Sequence, residues 1–122
     1  MESKTVRLSR YDHRTRASIV VEGEFRETPT GYVLSYLEDE ETQVYLTRSG
    51  DHLKLNRLGL WKTAAVFDQS QNTSLVVTSQ EGLLNFVVMT EKLVFHDSAL
   101  SVVYRLKGQP ESFAFDYTWA FD

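Results

Sequence analysis

The chain has 122 residues, a formal net charge of −4, and 42% hydrophobic and 25% charged content, the make-up of a single globular domain with one substantial core. It has no cysteine, which excludes disulfides, thiolate nucleophiles and cysteine-ligated metals and fits a reducing cytoplasm. No run approaches the roughly 18 apolar residues of a membrane span, the polar opening Met1-Glu-Ser-Lys-Thr lacks a signal-peptide core, and the acidic balance argues against a nucleic-acid partner.

Residues 5–11 alternate apolar and polar, with Val6 and Leu8 on one face, and read as a first strand. Lys4, Arg7, Arg10, Arg14 and Arg16 make this opening basic. The expected reading is a solvated outer face and a charged turn at Asp12-His-Arg-Thr rather than a nucleic-acid arm. Residues 17–27 place Ile19, Val21, Gly23 and Phe25 on one face of a second strand. Thr28-Pro-Thr-Gly31 turns the chain into a return strand over 32–38, where Tyr32, Leu34 and Tyr36 share a face. Glu38-Asp-Glu-Glu41 is expected to be a solvated hairpin tip, since nothing around it has cation-loop spacing. Residues 43–48 and 52–58 form the next hairpin about Ser49-Gly-Asp51, pairing Val44 and Leu46 with Leu53 and Leu55.

Gly59-Leu-Trp61 matches the short Gly-x-Trp signature of lipocalins but stands in mid-chain, where that signature does not belong. Residues 62–68 are read as a strand, with a short helix through Lys62-Thr-Ala-Ala-Val the alternative. Strands follow at 73–79 and 83–90, the latter continued by Lys92-Leu-Val-Phe95. Leu84, Phe86 and Val88 lie on one face of that strand and Leu83, Val87 and Met89 on the other. Apolar residues on both faces predict a cover over the outer one, from another segment or from a second subunit. His96-Asp-Ser-Ala99 turns into residues 100–106, and Lys107-Gly-Gln-Pro110 leads to the last strand. There Phe113, Phe115, Tyr117, Trp119 and Phe121 alternate with small or polar residues. Five rings on one face, each able to remove roughly 150–250 Å² from water, must lie against a core or line a cavity.

About ten short strands joined by tight turns predict an all-β domain over residues 1–122, an antiparallel meander closing as a barrel or a sandwich. Closure removes the edges that so many hairpins would leave open.

From Gly31 onward the order of elements resembles the YwiB-like family of small bacterial proteins. The residues that carry this are Tyr32-Val-Leu-Ser-Tyr36 with Glu38, Arg57-Leu-Gly59, Val77-Thr-Ser-Gln-Glu-Gly-Leu-Leu84, Thr90-Glu-Lys-Leu93 and Val102-Val-Tyr-Arg-Leu106. Members often carry Arg-Ser-Gly where Arg57-Leu-Gly59 stands here, while Arg48-Ser-Gly50 has the literal match one hairpin earlier, so Arg48 and Arg57 are alternatives for the family arginine. The resemblance implies an antiparallel up-and-down β-barrel of about 8–10 strands, calycin-like and related in shape to lipocalins and fatty-acid-binding proteins, and no particular activity.

Candidate chemistry is sparse. His13, His52 and His96 all fall at turns, without metal-ligand spacing; there is no Gly-x-Ser-x-Gly elbow and no glycine-rich phosphate loop. The expected function is therefore non-enzymatic, without metal or cofactor: binding of a small apolar or anionic ligand inside the barrel. Tyr36, Tyr104 and Trp119 are the candidate lining residues. Arg57, on the face of Leu53 and Leu55, needs a buried counter-charge such as Glu38 or an anionic ligand. The alternative is an interaction module, a homodimer through the apolar 83–95 region.

Overall fold

A computed structural model describes residues 2–122; Met1, which the single-domain reading includes, lies outside the described residues. Ten strands follow in sequence: β1 (Lys4–Asp12), β2 (Ala17–Thr28), β3 (Gly31–Asp39), β4 (Thr42–Ser49), β5 (His52–Leu58), β6 (Lys62–Phe67), β7 (Thr73–Ser79), β8 (Gly82–His96), β9 (Ala99–Leu106) and β10 (Ser112–Phe121). Each runs antiparallel to its neighbours in sequence, and β1 pairs with β10 from Val6↔Phe121 to Asp12↔Phe115, closing the barrel.

Side chains on a strand alternate faces, so each strand sends every second residue inward. On β9 these are Leu100, Val102, Tyr104 and Leu106, all buried, and on β3 Tyr32, Leu34 and Tyr36. The interior is one continuous apolar cluster, while outward positions such as Arg7, Glu22, Glu24 and Arg26 are charged and exposed. Such an outer face is the reverse of the apolar band of an outer-membrane barrel. Among the described residues no helix is long and apolar enough to cross a membrane.

Residues 62–67 are strand, not helix. Ala65 stands between Leu55 of β5 and Leu75 of β7 and is buried with Leu75. A small side chain fits between two large ones, and packing overrides helix propensity. The β4–β5 hairpin turns on Gly50 and Asp51, with Gly50 at φ 59°. That two-residue turn sets Ser49 opposite His52, so Leu46 faces Leu55 while Val44 faces Arg57 and Arg48 faces Leu53.

Two seams are incomplete at one end of the barrel, the end carrying the β1–β2, β3–β4, β5–β6, β7–β8 and β9–β10 connections. The β2–β3 ladder stops at Gly23↔Tyr36, leaving Leu37–Asp39 of β3 without partners on that side. The β8–β9 ladder begins only at Val88↔Leu106, with one further bond from Lys107 N–H to the Val87 carbonyl, so Gly82–Phe86 pair with β7 alone and project past β9. Here the structure corrects the expectation of a cover from within the chain. Leu83, Leu84 and Val87 are 63%, 57% and 41% exposed, because β8 has 15 residues and β9 only 8.

Candidate functional site

Inward-facing charge gathers at the end where these seams open. Arg10 ends the inner row Val6, Leu8, Arg10 of β1; Glu38 ends the row of Tyr36 on β3; Arg57 ends the row of Leu53 and Leu55 on β5. Arg10 Nη1 donates to Glu38 Oε1 at 2.8 Å, and Arg57 Nε donates to Glu38 Oε2 at 2.9 Å, with a second bond from Arg57 Nη2 to the same oxygen. The Arg10–Glu38 pair therefore spans from β1 to β3 across the gap beyond Gly23↔Tyr36.

Burial opposes ionisation of Glu38, but hydrogen bonds from Arg57 and Arg10 outweigh it and hold the carboxyl below the usual range. Two guanidiniums share one carboxylate, so the cluster keeps a net positive charge. Arg10 and Glu38 side chains are mostly buried, whereas Arg57 is 40% exposed and forms the outer member.

Beneath this cluster lies a cavity of about 220 Å³. Its walls include Tyr36, Tyr104, Tyr117, Phe67 and Phe115, with Arg10, Glu38 and Arg57 at its polar end. Burial pushes the Tyr117 phenol well above its ordinary value, raises Tyr36 and lifts Tyr104 to about 12, so the three phenols are neutral at physiological pH. Two polar atoms here are buried without a protein partner: Arg10 Nε and the Tyr36 hydroxyl. The Tyr36 hydroxyl sits close enough to Arg10 and Tyr117 to feel both, yet makes no well-formed hydrogen bond to either. Unpaired buried donors are costly and rare, and here both belong to residues that line the same cavity.

The structure thus brings together Tyr36, Arg57 and Tyr104 of the sequence-predicted residues. Trp119 lies elsewhere, near the opposite end. It packs against Tyr32 with ring centroids 5.4 Å apart and stacks on Phe25 at 6.3 Å. Arg48 caps that filled end, its guanidinium 4.2 Å from the Phe95 ring centroid and its Nε bonded to the Gly50 carbonyl. Of the two candidate family arginines, Arg57 is the one at the cavity.

Glu38 is not part of the solvated tip expected for Glu38–Glu41, and Arg10 does not belong to a solvated basic face. Arg10 and Tyr117 were missed as site residues, although the alternation of Val6 and Leu8 already pointed Arg10 inward. Two of the three histidines make rim pairs: His13 Nε2 with Asp116 Oδ2 at 2.6 Å, and His52 Nδ1 with Asp68 Oδ2 at 3.5 Å. Among the described residues no group of three or more histidine or carboxylate side chains could hold a metal.

The family described as a domain of unknown function (DUF1934) matches residues 3–117. Among solved structures, the crystal structure of ywiB protein from Bacillus subtilis superposes with a TM-score of 0.76 at 14% identity, covering 97% of this chain and 93% of that one. Identity this low speaks for a shared fold. No curated protein matches the sequence.

Proposed function

From the premise that the chain belongs to the DUF1934, YwiB-like family of β-barrels, we propose that it binds one small monoanion with an apolar body. Binding is without chemical turnover, in the cavity beneath Arg10, Glu38 and Arg57. The observation that carries this reading is the pair of buried, unpartnered donors, Arg10 Nε and the Tyr36 hydroxyl, on two residues that line a cavity walled mostly by aliphatic and aromatic side chains. A carboxylate entering there satisfies both donors and balances the surplus guanidinium charge, while its apolar part packs against Phe67, Phe115 and Tyr104.

Size narrows the class. A cavity of about 220 Å³ exceeds the roughly 150 Å³ that accommodates benzene and falls below the roughly 300 Å³ at which drug-sized pockets begin. A benzoate-sized acid fits; a long-chain fatty acid does not. The cysteine-free composition supports a cytoplasmic setting for this binding.

Calorimetric titration with benzoate, toluene and laurate checks the reading. Benzoate binds, laurate does not, and toluene binds more weakly for want of a charge. Arg57→Gln weakens benzoate about tenfold, as expected for a hydrogen bond to a charged group. Tyr36→Phe also weakens it, while leaving the ligand-free melting temperature unchanged or raised, because the hydroxyl it removes has no partner. Failure of benzoate and other small monocarboxylates to bind, or equal binding of toluene, overturns the proposal.

A further inference from the structure

Glu38 owes its position to an irregularity of the backbone as well as to its partners. The β3–β4 register passes from Leu37↔Gln43 to Asp39↔Thr42, so Glu38 is an extra residue on β3, a bulge with no partner on β4. The β2–β3 ladder has already stopped at Gly23↔Tyr36, so Glu38 has no partner on β2 either. A bulge re-aims a side chain. This side chain lines the cavity, with Oε1 engaged by Arg10 and Oε2 by Arg57. A carboxylate turned into a largely apolar interior is costly to bury, and here it cancels half of the positive charge that the two arginines bring. Asp12 and Asp39 also stand at this end of the barrel. Neither lines the cavity, and their carboxylates accept N–H groups of their own hairpins, from Arg14 and Glu41. The cavity wall therefore carries two fixed positive charges and one fixed negative charge.

We infer that Glu38 is the specificity-determining residue that sets the charge of the ligand, admitting a monoanion and rejecting a dianion that carries the same apolar group. The inference rests on the reading of this cavity as an anion site. Arg10 Nη1 and Arg57 Nε and Nη2 are already spent on Glu38, and the buried donors left over are Arg10 Nε and the Tyr36 hydroxyl. One negative charge on a ligand matches the one surplus guanidinium charge. A second would be buried beside the Glu38 carboxylate with no counter-charge, and an uncompensated buried charge is strongly destabilising. With Glu38 neutralised, the same two guanidiniums match a dianion instead.

Calorimetric titration of the full chain with benzoate and with phenyl phosphate tests this. At about pH 8 phenyl phosphate is a dianion, since the second ionisation of a phosphate ester lies at about 6, and the two probes share one ring. The wild type binds benzoate about tenfold or more tighter than phenyl phosphate. Glu38→Gln reverses that order, moving the ratio of the two affinities by about a hundredfold. Arg57→Gln removes a positive charge and moves the ratio the other way. The double variant E38Q/R57Q again has one surplus positive charge and returns the ratio to the wild-type value. Loss of a particular hydrogen bond does not produce that return, and the return is readable even where E38Q alone is too unstable to titrate. A ratio that Glu38→Gln leaves unchanged, or a double variant that keeps the ratio of Arg57→Gln, overturns the inference while benzoate binding stands. So does a wild type that takes phenyl phosphate more tightly than benzoate. Failure of both probes to bind the wild type overturns the underlying reading of the cavity, and this inference with it.

Discussion

Glu38 holds two arginines from strands that do not touch one another at that level, and its ionisation is tied to the fold. Its carboxyl is held below the ordinary value of 4.5 in the folded chain. A group with a depressed folded value contributes stability that is fully present above the unfolded value and is lost as pH falls through the folded one. Urea unfolding measured against pH is therefore expected to lose stability below about pH 4.5. Glu38→Gln is less stable than the wild type at neutral pH, where it leaves both guanidiniums without their anion, and its stability changes less on acidification. An acid limb identical in the two proteins would show that Glu38 contributes nothing to it. The parity of Tyr32, Leu34 and Tyr36 made the inward direction of Glu38 legible, as that of Val6 and Leu8 did for Arg10. Reading charge by local runs, a basic opening and an acidic tip, hid the fact that one member of each run belongs to the interior. Trp119 was assigned the right face and the wrong end. Only the register Leu8↔Trp119 and Arg10↔Tyr117 shows that Tyr117, not Trp119, stands at the level of the charges.

At the scale of elements, strand boundaries and hairpin order were visible in the alternation of side chains, because in a closed antiparallel barrel almost every strand has one buried and one wet face. What alternation does not carry is where a ladder stops. The overhang of β8 arises from its 15 residues against 8 in β9, and the gap beyond Gly23↔Tyr36 from the stagger of β2 on β3. Gly23 marks the last joined pair. A Cβ there would stand 2.7 Å from the Ser35 carbonyl oxygen, a backbone atom that cannot move aside cheaply. Gly23→Ala is expected to cost about 1–3 kcal/mol in denaturant unfolding. A cost near zero would mean that the β2–β3 seam is already loose at this level.

For the whole molecule, the decisive contact is the seam between the first and last strands. Leu8 is fully buried opposite Trp119 and Val21, so it belongs to that seam and to the core at once. Truncation to alanine should cost about 2–5 kcal/mol, whereas Leu60→Ala, at a side chain 79% exposed in the β5–β6 connection, should change stability by no more than about 0.5 kcal/mol. Equal effects at the two positions would contradict the closed barrel. The seam also dictates an order of events during biosynthesis. A ribosome adding about 5–20 residues per second releases β1 long before β10 exists to meet it. Each hairpin from β2 to β9 has a neighbour to zip onto as it emerges, but the outer side of β1 has none until residues 115–121 follow. The nascent chain is an open, curling sheet with a waiting edge for most of its synthesis, and its need for protection from other chains is greatest in the moments before its final strand appears.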